Sequence, residues 1–149
     1  MKTAYDKSNS IEAVKLSRLS HKEYKAVLSA TESISDRQKQ AQALCNYLSE
    51  RFKVTQPIVK VVNRSQPHST GYRGTLRSKT LGTYAPASQV ITLYNLTAIK
   101  KQVVSIKQMT ATLLHEYIHH YDFTVLKLGT SPHTAGFYKR ISDLENKLK

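Results

Sequence analysis

The stretch His115-Glu116-Tyr117-Ile118-His119 constrains this chain more than any other, because it predicts a helix that carries two metal ligands. Residues four positions apart project from the same side of an α-helix, so His115 and His119 can hold one metal ion. Glu116 lies on the adjoining face and can reach a water held by that metal. This pattern is typical of catalytic zinc sites. The alternative is a pair of unliganded histidines at the surface or in the core.

The residues around this motif predict that its helix is buried. Apolar side chains recur at helical spacing from Ser105 onward and cover more than half of the helix surface: Ile106, Met109, Leu113, Leu114, Tyr117, Ile118, Tyr121 and Val125. A helix that is apolar over so wide an arc packs inside the protein. Lys127 and Gly129 predict that it ends nearby.

A catalytic zinc site needs a third protein ligand, and His133 is the predicted one. Ser131 and Pro132 predict the start of a further helix, with Ser131 as its N-cap. On that helix His133 shares one face with the apolar residues Phe137, Ile141, Leu144 and Leu148.

Other polar side chains fit the position of the third ligand less well. His120 points about 100° away from His119 and cannot share its metal. Glu145 and Asp122 are weaker candidates for the third ligand. Asp122 and Val125 occupy the glycine and histidine positions of the metzincin pattern, which excludes that class.

The positive charge is concentrated in one part of the chain. The net charge is +13, and residues 51–115 contain ten Lys and Arg but no Asp or Glu. A field of one sign attracts polyanions, of which nucleic acid is the commonest. The predicted nucleic-acid-binding residues are Lys60, Arg64, Arg73, Arg77, Lys79, Lys100 and Lys101. The alternative is a basic protein with no nucleic-acid role.

The order of predicted elements indicates an α+β domain. Ser20 with Glu23 and Ser35 with Gln38 predict helix starts, the second opening a helix over 36–52. Residues 58–62, 80–85 and 89–94 predict strands, and 63–74 a turn. We expect a small mixed sheet of three or four strands packed on the buried HExxH helix, with flanking N- and C-terminal helices. Residues 36–149 would form this domain, and residues 1–35 a helical or loose extension.

Composition limits the remaining possibilities. With 149 residues the chain is expected to form one domain. The single cysteine, Cys45, allows no intrachain disulfide and no cysteine zinc ribbon, and its position in a helical pattern favours a buried hydrophobic role. No secretory signal or transmembrane span is evident, which favours a cytoplasmic protein with no membrane partner.

The residues HEYIHHYD, followed by PHTAGFYKRISDL, resemble the SprT-like and WLM-type metallopeptidases. The stretch LGTYAPASQVITLYN is similar to the paired strands of such zincins, one of which borders the substrate cleft. The resemblance covers about residues 50 to 148. It implies a small zincin-like domain, one zinc ion held by His115, His119 and His133, and Glu116 as catalytic base. Members cleave proteins trapped on DNA, and related domains occur in phage and plasmid proteins. The cysteine zinc ribbon of SprT is missing here.

The sequence therefore predicts a metalloendopeptidase that acts on proteins bound to or near DNA, as in crosslink repair or in a phage or plasmid anti-defence role. Tyr117, His120, Tyr121 and Asp122 are candidates for oxyanion stabilisation or for support of the metal ligands. The strand over 89–94 is expected to be an edge strand that pairs with an extended protein substrate. A monomer is expected. One alternative is a nucleic-acid-binding module whose zinc site is only structural. Another is a secreted basic toxin or peptidase, which the missing signal argues against.

Overall fold

The computed structural model describes residues 2–149 and has an α+β fold, as predicted. The helices are α1 (Ala4–Ser10), α2 (Lys22–Leu28), α3 (Ile34–Phe52), α4 (Ile106–Thr124) and α5 (Ala135–Leu148). The strands are β1 (Ile58–Ser65), β2 (His68–Thr70), β3 (Leu76–Lys79), β4 (Gly82–Ala85) and β5 (Val90–Leu96).

Strands β1, β5 and β4 form a mixed sheet in that order. β5 runs parallel to β1 and antiparallel to β4. Its buried side chains, with those of β1, face α3 and α4: Val59, Val61, Ile91 and Leu93. β5 is thus the central strand, and the expectation that residues 89–94 form an edge was wrong. β4 is an edge strand, because β5 is its one partner among the described strands.

Strands β2 and β3 form a separate antiparallel hairpin, which the sequence analysis missed. Residues 63–74 were expected to be a turn, yet β1 extends to Ser65 and β2 follows directly. Every residue of β2 and β3 is exposed. A hairpin that buries neither face has no apolar alternation, so the signal that identifies most strands is lacking.

Helix α4 crosses the middle of the core, as its apolar pattern predicted. The Ser105 side chain caps it by accepting a hydrogen bond from the Gln108 backbone N–H. Eleven of its residues are buried, among them Leu114, Tyr117 and Ile118. The HExxH residues are therefore held on a rigid element.

Residues before α3 were expected to be a helical or loose extension, and they contain α1 and α2, which pack on the same core. Thr3 and Asp6 form a capping box at the start of α1. Val14 and the α2 residues Tyr24 and Val27 belong to the main hydrophobic cluster. Gly136 of α5 lies so close to α1 that a Cβ there would be 2.1 Å from the Ser8 carbonyl oxygen.

Three predicted helix starts differ from the structure. α2 begins at Lys22 after His21 rather than at a Ser20 cap. Ser33 caps α3 in place of Ser35, by accepting from the Asp36 N–H. Thr134 caps α5 in place of Ser131, so His133 lies in the loop before the helix and not on it. Within residues 2–149 no helix is both long and apolar enough to span a membrane.

Candidate metal centre

Helix α4 and the loop that follows it bring three histidines together. His115 and His119 lie one turn apart on α4, and the loop over residues 125–134 returns to place His133 beside them. The ring centroids are 4.9 to 5.1 Å apart for all three pairs. One nitrogen from each ring lies within 4.8 Å of the others. These three imidazoles are close enough to bind one metal ion.

Phe137 forms the apolar floor of this cluster. It is fully buried, and its ring centroid lies 5.0 Å from that of His115, 4.6 Å from His119 and 5.1 Å from His133. Phe137 sits in the first turn of α5, four residues after His133. The spacing that the sequence analysis took as a shared helical face therefore places Phe137 under the histidines, although His133 itself precedes the helix.

The His119 ring is held in one tautomer by its neighbours. The Ser131 hydroxyl donates its hydrogen to Asp122 Oδ2 at 2.7 Å. Its oxygen must therefore accept the other hydrogen bond, 2.7 Å from His119 Nδ1, which carries the hydrogen. In the neutral ring this leaves the lone pair of Nε2 free for a metal.

Burial keeps the ligand imidazoles neutral. Burial, followed by the charge of His133, lowers the pKa of His115 to about 4. Burial, followed by His115 and His133, lowers the pKa of His119 to about 3. Neutral imidazole is the form that binds metals, so the two rings need no deprotonation at neutral pH.

Glu116 lies beside the histidines in an unusual state for a carboxylate. It is only 5% exposed, and its Oε2 has no hydrogen-bond partner among the described residues. Burial raises the pKa of Glu116 to about 7. Burying an oxygen without a hydrogen-bond partner lowers the stability of the fold, so the presence of Glu116 at this position needs an explanation. A carboxyl group with a pKa near neutrality is suited to accepting and returning a proton.

Glu116 and His119 stand at the middle of a groove along β4. On one side is a cavity of about 450 Å³. It is lined by residues 79–82, by the α4 side chains of Gln108, Ala111, Thr112 and His115, and by His133. A second cavity of about 340 Å³ is lined by Thr83, Tyr84 and Pro86. Glu116 and His119 line both cavities. The groove therefore extends past the histidine cluster in both directions.

The donor set fits zinc. Two imidazole nitrogens on a tetrahedral zinc ion lie about 3.3 Å apart at usual bond lengths, and His119 Nε2 and His133 Nε2 are 3.1 Å apart. Three nitrogen ligands without a carboxylate do not suit Mg²⁺ or Ca²⁺, which prefer oxygen. Three protein ligands also leave a fourth position open, as catalytic zinc sites do.

Two of the residues predicted to stabilise an oxyanion have their hydroxyl groups bonded elsewhere. The Tyr117 hydroxyl is 3.0 Å from Ser49 Oγ on α3. The Tyr121 hydroxyl accepts from the Lys15 N–H. Both side chains are fully buried in the core, so neither lines the groove. The structure therefore does not bring Tyr117 and Tyr121 into the groove beside the histidines.

His120 leads to a residue that the sequence analysis missed. His120 Nε2 donates to the Thr55 carbonyl oxygen at 2.8 Å, and its Nδ1 accepts from the Tyr84 hydroxyl at 2.8 Å. Tyr84 lies on β4 and lines the groove with Glu116. Burial raises the pKa of Tyr84 to about 12, so its hydroxyl keeps its proton. Alternation along β4 was the available signal, because it turns Tyr84 and Gly82 toward α4.

Asp122, the fourth of these candidates, lies behind the cluster. It is fully buried and bonded to Ser131 and Arg140. Burial raises the pKa of this carboxyl, and the hydrogen bonds from Ser131 and Arg140 oppose the rise. Asp122 thus contacts His119 through Ser131 and is not a member of the three-histidine cluster.

The seven predicted nucleic-acid-binding residues are all exposed but do not form one cluster. Arg73, Arg77 and Lys79 lie on the β2–β3 hairpin, and Lys79 also lines the groove. Arg64 lies near the end of β1, and Lys100 and Lys101 lie in the turn after β5 that the Leu96–Val103 bridge closes. Lys60 lies on the open face of the sheet. In residues 2–149 none of the seven forms a salt bridge.

Comparisons with family models, with curated proteins and with solved structures gave no match to this chain. The likeness to SprT-like metallopeptidases therefore stays a prediction, and the function rests on the site itself.

Proposed function

We propose that this protein is a zinc-dependent metalloendopeptidase. The observation that carries the proposal is Glu116, a buried carboxylate beside three clustered histidines and at the middle of a groove. Its Oε2 has no hydrogen-bond partner in the described part of the chain. A purely structural zinc site would not explain why a buried carboxylate lies beside the histidines. A hydrolase uses it to accept a proton from water.

The proposed zinc ligands are His115, His119 and His133. When bound, zinc supplies Lewis-acid chemistry, which acidifies water and polarises the scissile carbonyl group. Glu116 Oε2 accepts the proton of the attacking water and then delivers it to the nitrogen of the leaving amine. The Phe137 ring packs against all three imidazoles and so limits their movement.

The groove suits an extended polypeptide. β4 has one free edge, whose backbone groups can pair with a substrate strand by main-chain hydrogen bonds. Because the groove continues on both sides of Glu116, residues on both sides of the cleaved bond can bind. This arrangement supports cleavage within a chain and tolerance of many sequences.

The test of this proposal is Glu116→Gln, with Glu50→Gln on the exposed surface of α3 as the matched control. We expect Glu116→Gln to bind zinc and to fold like the wild type but to lose cleavage of an unfolded protein substrate by at least about a thousandfold. Glu50→Gln should cleave normally. Turnover by Glu116→Gln at the wild-type rate would reject the peptidase mechanism.

The alternative is a nucleic-acid-binding module with a structural zinc site. Structural zinc sites usually have four protein ligands, whereas three histidines cluster here. Zinc binding at one ion per chain, unfolding on chelation and no cleavage of any protein, with or without DNA, would favour the alternative.

We further propose that nucleic acid recruits the enzyme to its protein substrates, and that the β2–β3 hairpin takes part. Tyr72 at its tip is 83% exposed, and the Arg73 guanidinium lies 5.3 Å from the centre of its ring. An exposed aromatic ring next to arginine can stack on a base, while Arg77 and Lys79 can contact phosphates. All five strands lie within the acid-free residues 51–115, so no carboxylate from the sheets would repel DNA.

The salt dependence of DNA binding tests this recruitment. We expect the double variant Arg73→Ala, Arg77→Ala to bind a short DNA more weakly and to reduce the slope of log K against log salt by about two. Lys22→Ala with Lys25→Ala, which removes the same charge from α2, should change neither. Equal slopes for wild type and the hairpin variant would exclude the hairpin as a DNA contact.

A further inference from the structure

His133 and Ser131 belong to a loop without regular structure, residues 125–134. A loop does not by itself fix a metal ligand to the accuracy that a catalytic site needs. The contacts that hold this loop are therefore part of the site. They converge on one buried side chain, Arg140 of α5, which is fully buried.

Arg140 uses all five of its N–H donors. Nε and Nη2 donate to the two carboxylate oxygens of Asp122, at 3.1 and 2.9 Å. Nη1 donates to the carbonyl oxygens of Ser8 and Ile11, both at 2.6 Å. Nη2 also donates to Ser8 Oγ at 3.0 Å. The planar guanidinium therefore fixes Asp122 relative to the N-terminal segment.

From Asp122 the hydrogen bonds continue through Ser131 to His119 on α4. Asp122 Oδ2 accepts from the Ser131 hydroxyl, and Ser131 in turn accepts from His119 Nδ1. His119 Nε2 faces His133, and its Nδ1 bonds Ser131. Within residues 2–149 it is the one histidine of the cluster that is held from outside by a hydrogen bond to another side chain. Its ring orientation thus depends on the position of Arg140.

From Ser8 the contacts lead to the third ligand. Ser8 Oγ lies 2.8 Å from Thr134 Oγ1, in a buried hydrogen bond. Thr134 follows His133 directly and caps α5 by accepting from the Phe137 N–H. The α1 segment thus touches the residue next to His133, and the absence of a Cβ at Gly136 lets it come this close.

We infer that the N-terminal segment around Ser8 is part of the metal centre. Through Arg140 it positions Asp122 and Ser131, and so sets the orientation of His119. Through the hydrogen bond between Ser8 and Thr134 it sets the place of His133. This inference rests on the proposed metal site and assigns Ser8, Ser131, Asp122 and Arg140 as positioning residues. A role in stability alone explains the arrangement less well. A buried ion pair adds little net stability over an apolar pair of the same volume, whereas its hydrogen bonds define a geometry.

The experiment measures zinc affinity directly, by competition with a chromophoric chelator, and the absorption spectrum of the Co²⁺-substituted protein. Ser131→Ala removes the acceptor of His119 without leaving a buried charge unpaired. We expect it to bind zinc about tenfold to a hundredfold more weakly than wild type and to alter the Co²⁺ spectrum. Ser131→Thr keeps the hydroxyl and should restore both.

The N-terminal part of the inference is tested by Ser8→Ala against Lys139→Ala. Lys139 also joins the N-terminal region to α5, through an exposed salt bridge to Glu12 at 2.7 Å. It takes no part in the hydrogen bonds that link Ser8, Arg140, Asp122 and Ser131. Ser8→Ala should weaken zinc binding and shift the Co²⁺ spectrum in the same direction as Ser131→Ala, whereas Lys139→Ala should match the wild type. Unfolding of each metal-free variant in urea separates a loss of fold from a loss of ligand geometry.

The outcomes are distinct. If wild type binds zinc and Ser131→Ala binds it equally well with an unchanged spectrum, the positioning role is overturned while the proposed function stands. If Ser8→Ala behaves like Lys139→Ala, the N-terminal segment is not part of the centre. If wild type itself binds no zinc, the proposed function fails first and this inference fails with it.

Discussion

At the level of single residues, the site depends on which hydrogen bonds its side chains have and which they lack. The Ser131 hydroxyl has one hydrogen and gives it to Asp122, so His119 must donate and its other nitrogen is available. Glu116 is the opposite case, because its Oε2 has no hydrogen-bond partner within residues 2–149. In the proposed site, His119 is oriented as a metal ligand and Glu116 is free to accept a proton.

Tyr84 gives a prediction at this level. Its hydroxyl, now donated to His120 Nδ1, lines the groove and can turn toward a substrate carbonyl as negative charge develops there. We expect Tyr84→Phe to lower kcat for peptide cleavage by about a hundredfold and to leave zinc affinity unchanged. Steady-state kinetics on a fluorogenic peptide, beside zinc titration, would measure both effects.

The control is Tyr94→Phe, on the opposite face of the sheet, which should leave kcat unchanged. If Tyr84→Phe turns over substrate as fast as wild type, Tyr84 takes no part in stabilising the transition state.

At the level of elements, β4 packs closely against α4 at Gly82. A Cβ at Gly82 would lie 2.7 Å from Thr112 Cγ2 and 3.0 Å from the Thr92 carbonyl oxygen. Only glycine therefore permits the groove to pass directly beside the HExxH helix. The absence of a side chain at Gly82 therefore lets the edge strand lie beside the helix that carries His115 and His119.

We expect Gly82→Ala to lower the free energy of unfolding by about 1–3 kcal/mol, because the extra methyl group overpacks this contact. Thr112→Ser deletes Cγ2 but keeps the hydroxyl that bonds the Gln108 carbonyl oxygen. In that background Gly82→Ala should be less harmful, and the double-mutant cycle in urea would show the coupling.

Gly129→Ala is the matched control, since nothing lies within 4 Å of a Cβ there. It should be nearly neutral. Additive effects of Gly82→Ala and Thr112→Ser would contradict the proposed contact between β4 and α4.

The sequence predicted the elements that bury an apolar face, and it failed for those held by polar contacts. The pattern from Ile106 to Val125 marked α4, and the steps of three and four from Phe137 to Leu148 marked α5. The exposed hairpin gave no such pattern. The docking of α1 depends on Arg140 donors and on Gly136, which lie more than a hundred residues away. No local window can reveal a pairing of that range.

For the site, local spacing located His115, Glu116 and His119 because one helix positions all three. His133 was found although the predicted helix start was wrong, since Phe137 and not His133 begins the buried face. Tyr84 was missed because its role follows from the tertiary contact with His120. Ser131 was assigned to a helix cap that Thr134 provides instead.

For the whole molecule, the centre joins parts of the chain that are far apart in sequence. The hydrogen bonds around Arg140 join residues of α1, α4, the loop over 125–134 and α5. Zinc that binds the folded centre should therefore stabilise the entire domain and not only the loop.

Cys45 allows this coupling to be measured without touching the site. It is the only cysteine in the chain and is fully buried in the core on α3. Burial also raises the pKa of its thiol well above the usual range, so little reactive thiolate is present. A thiol reagent should thus label Cys45 only when the core opens.

We expect zinc to protect Cys45 from labelling in the native protein. At a free concentration 100 times Kd, zinc binding adds about 2.7 kcal/mol to the free energy of unfolding, and labelling through global opening should slow about a hundredfold. His133→Ala should abolish the protection while leaving the metal-free rate close to that of wild type, because His133 is exposed. Labelling that is rapid in the folded protein, or unchanged by zinc, would show that the metal site and the core open independently.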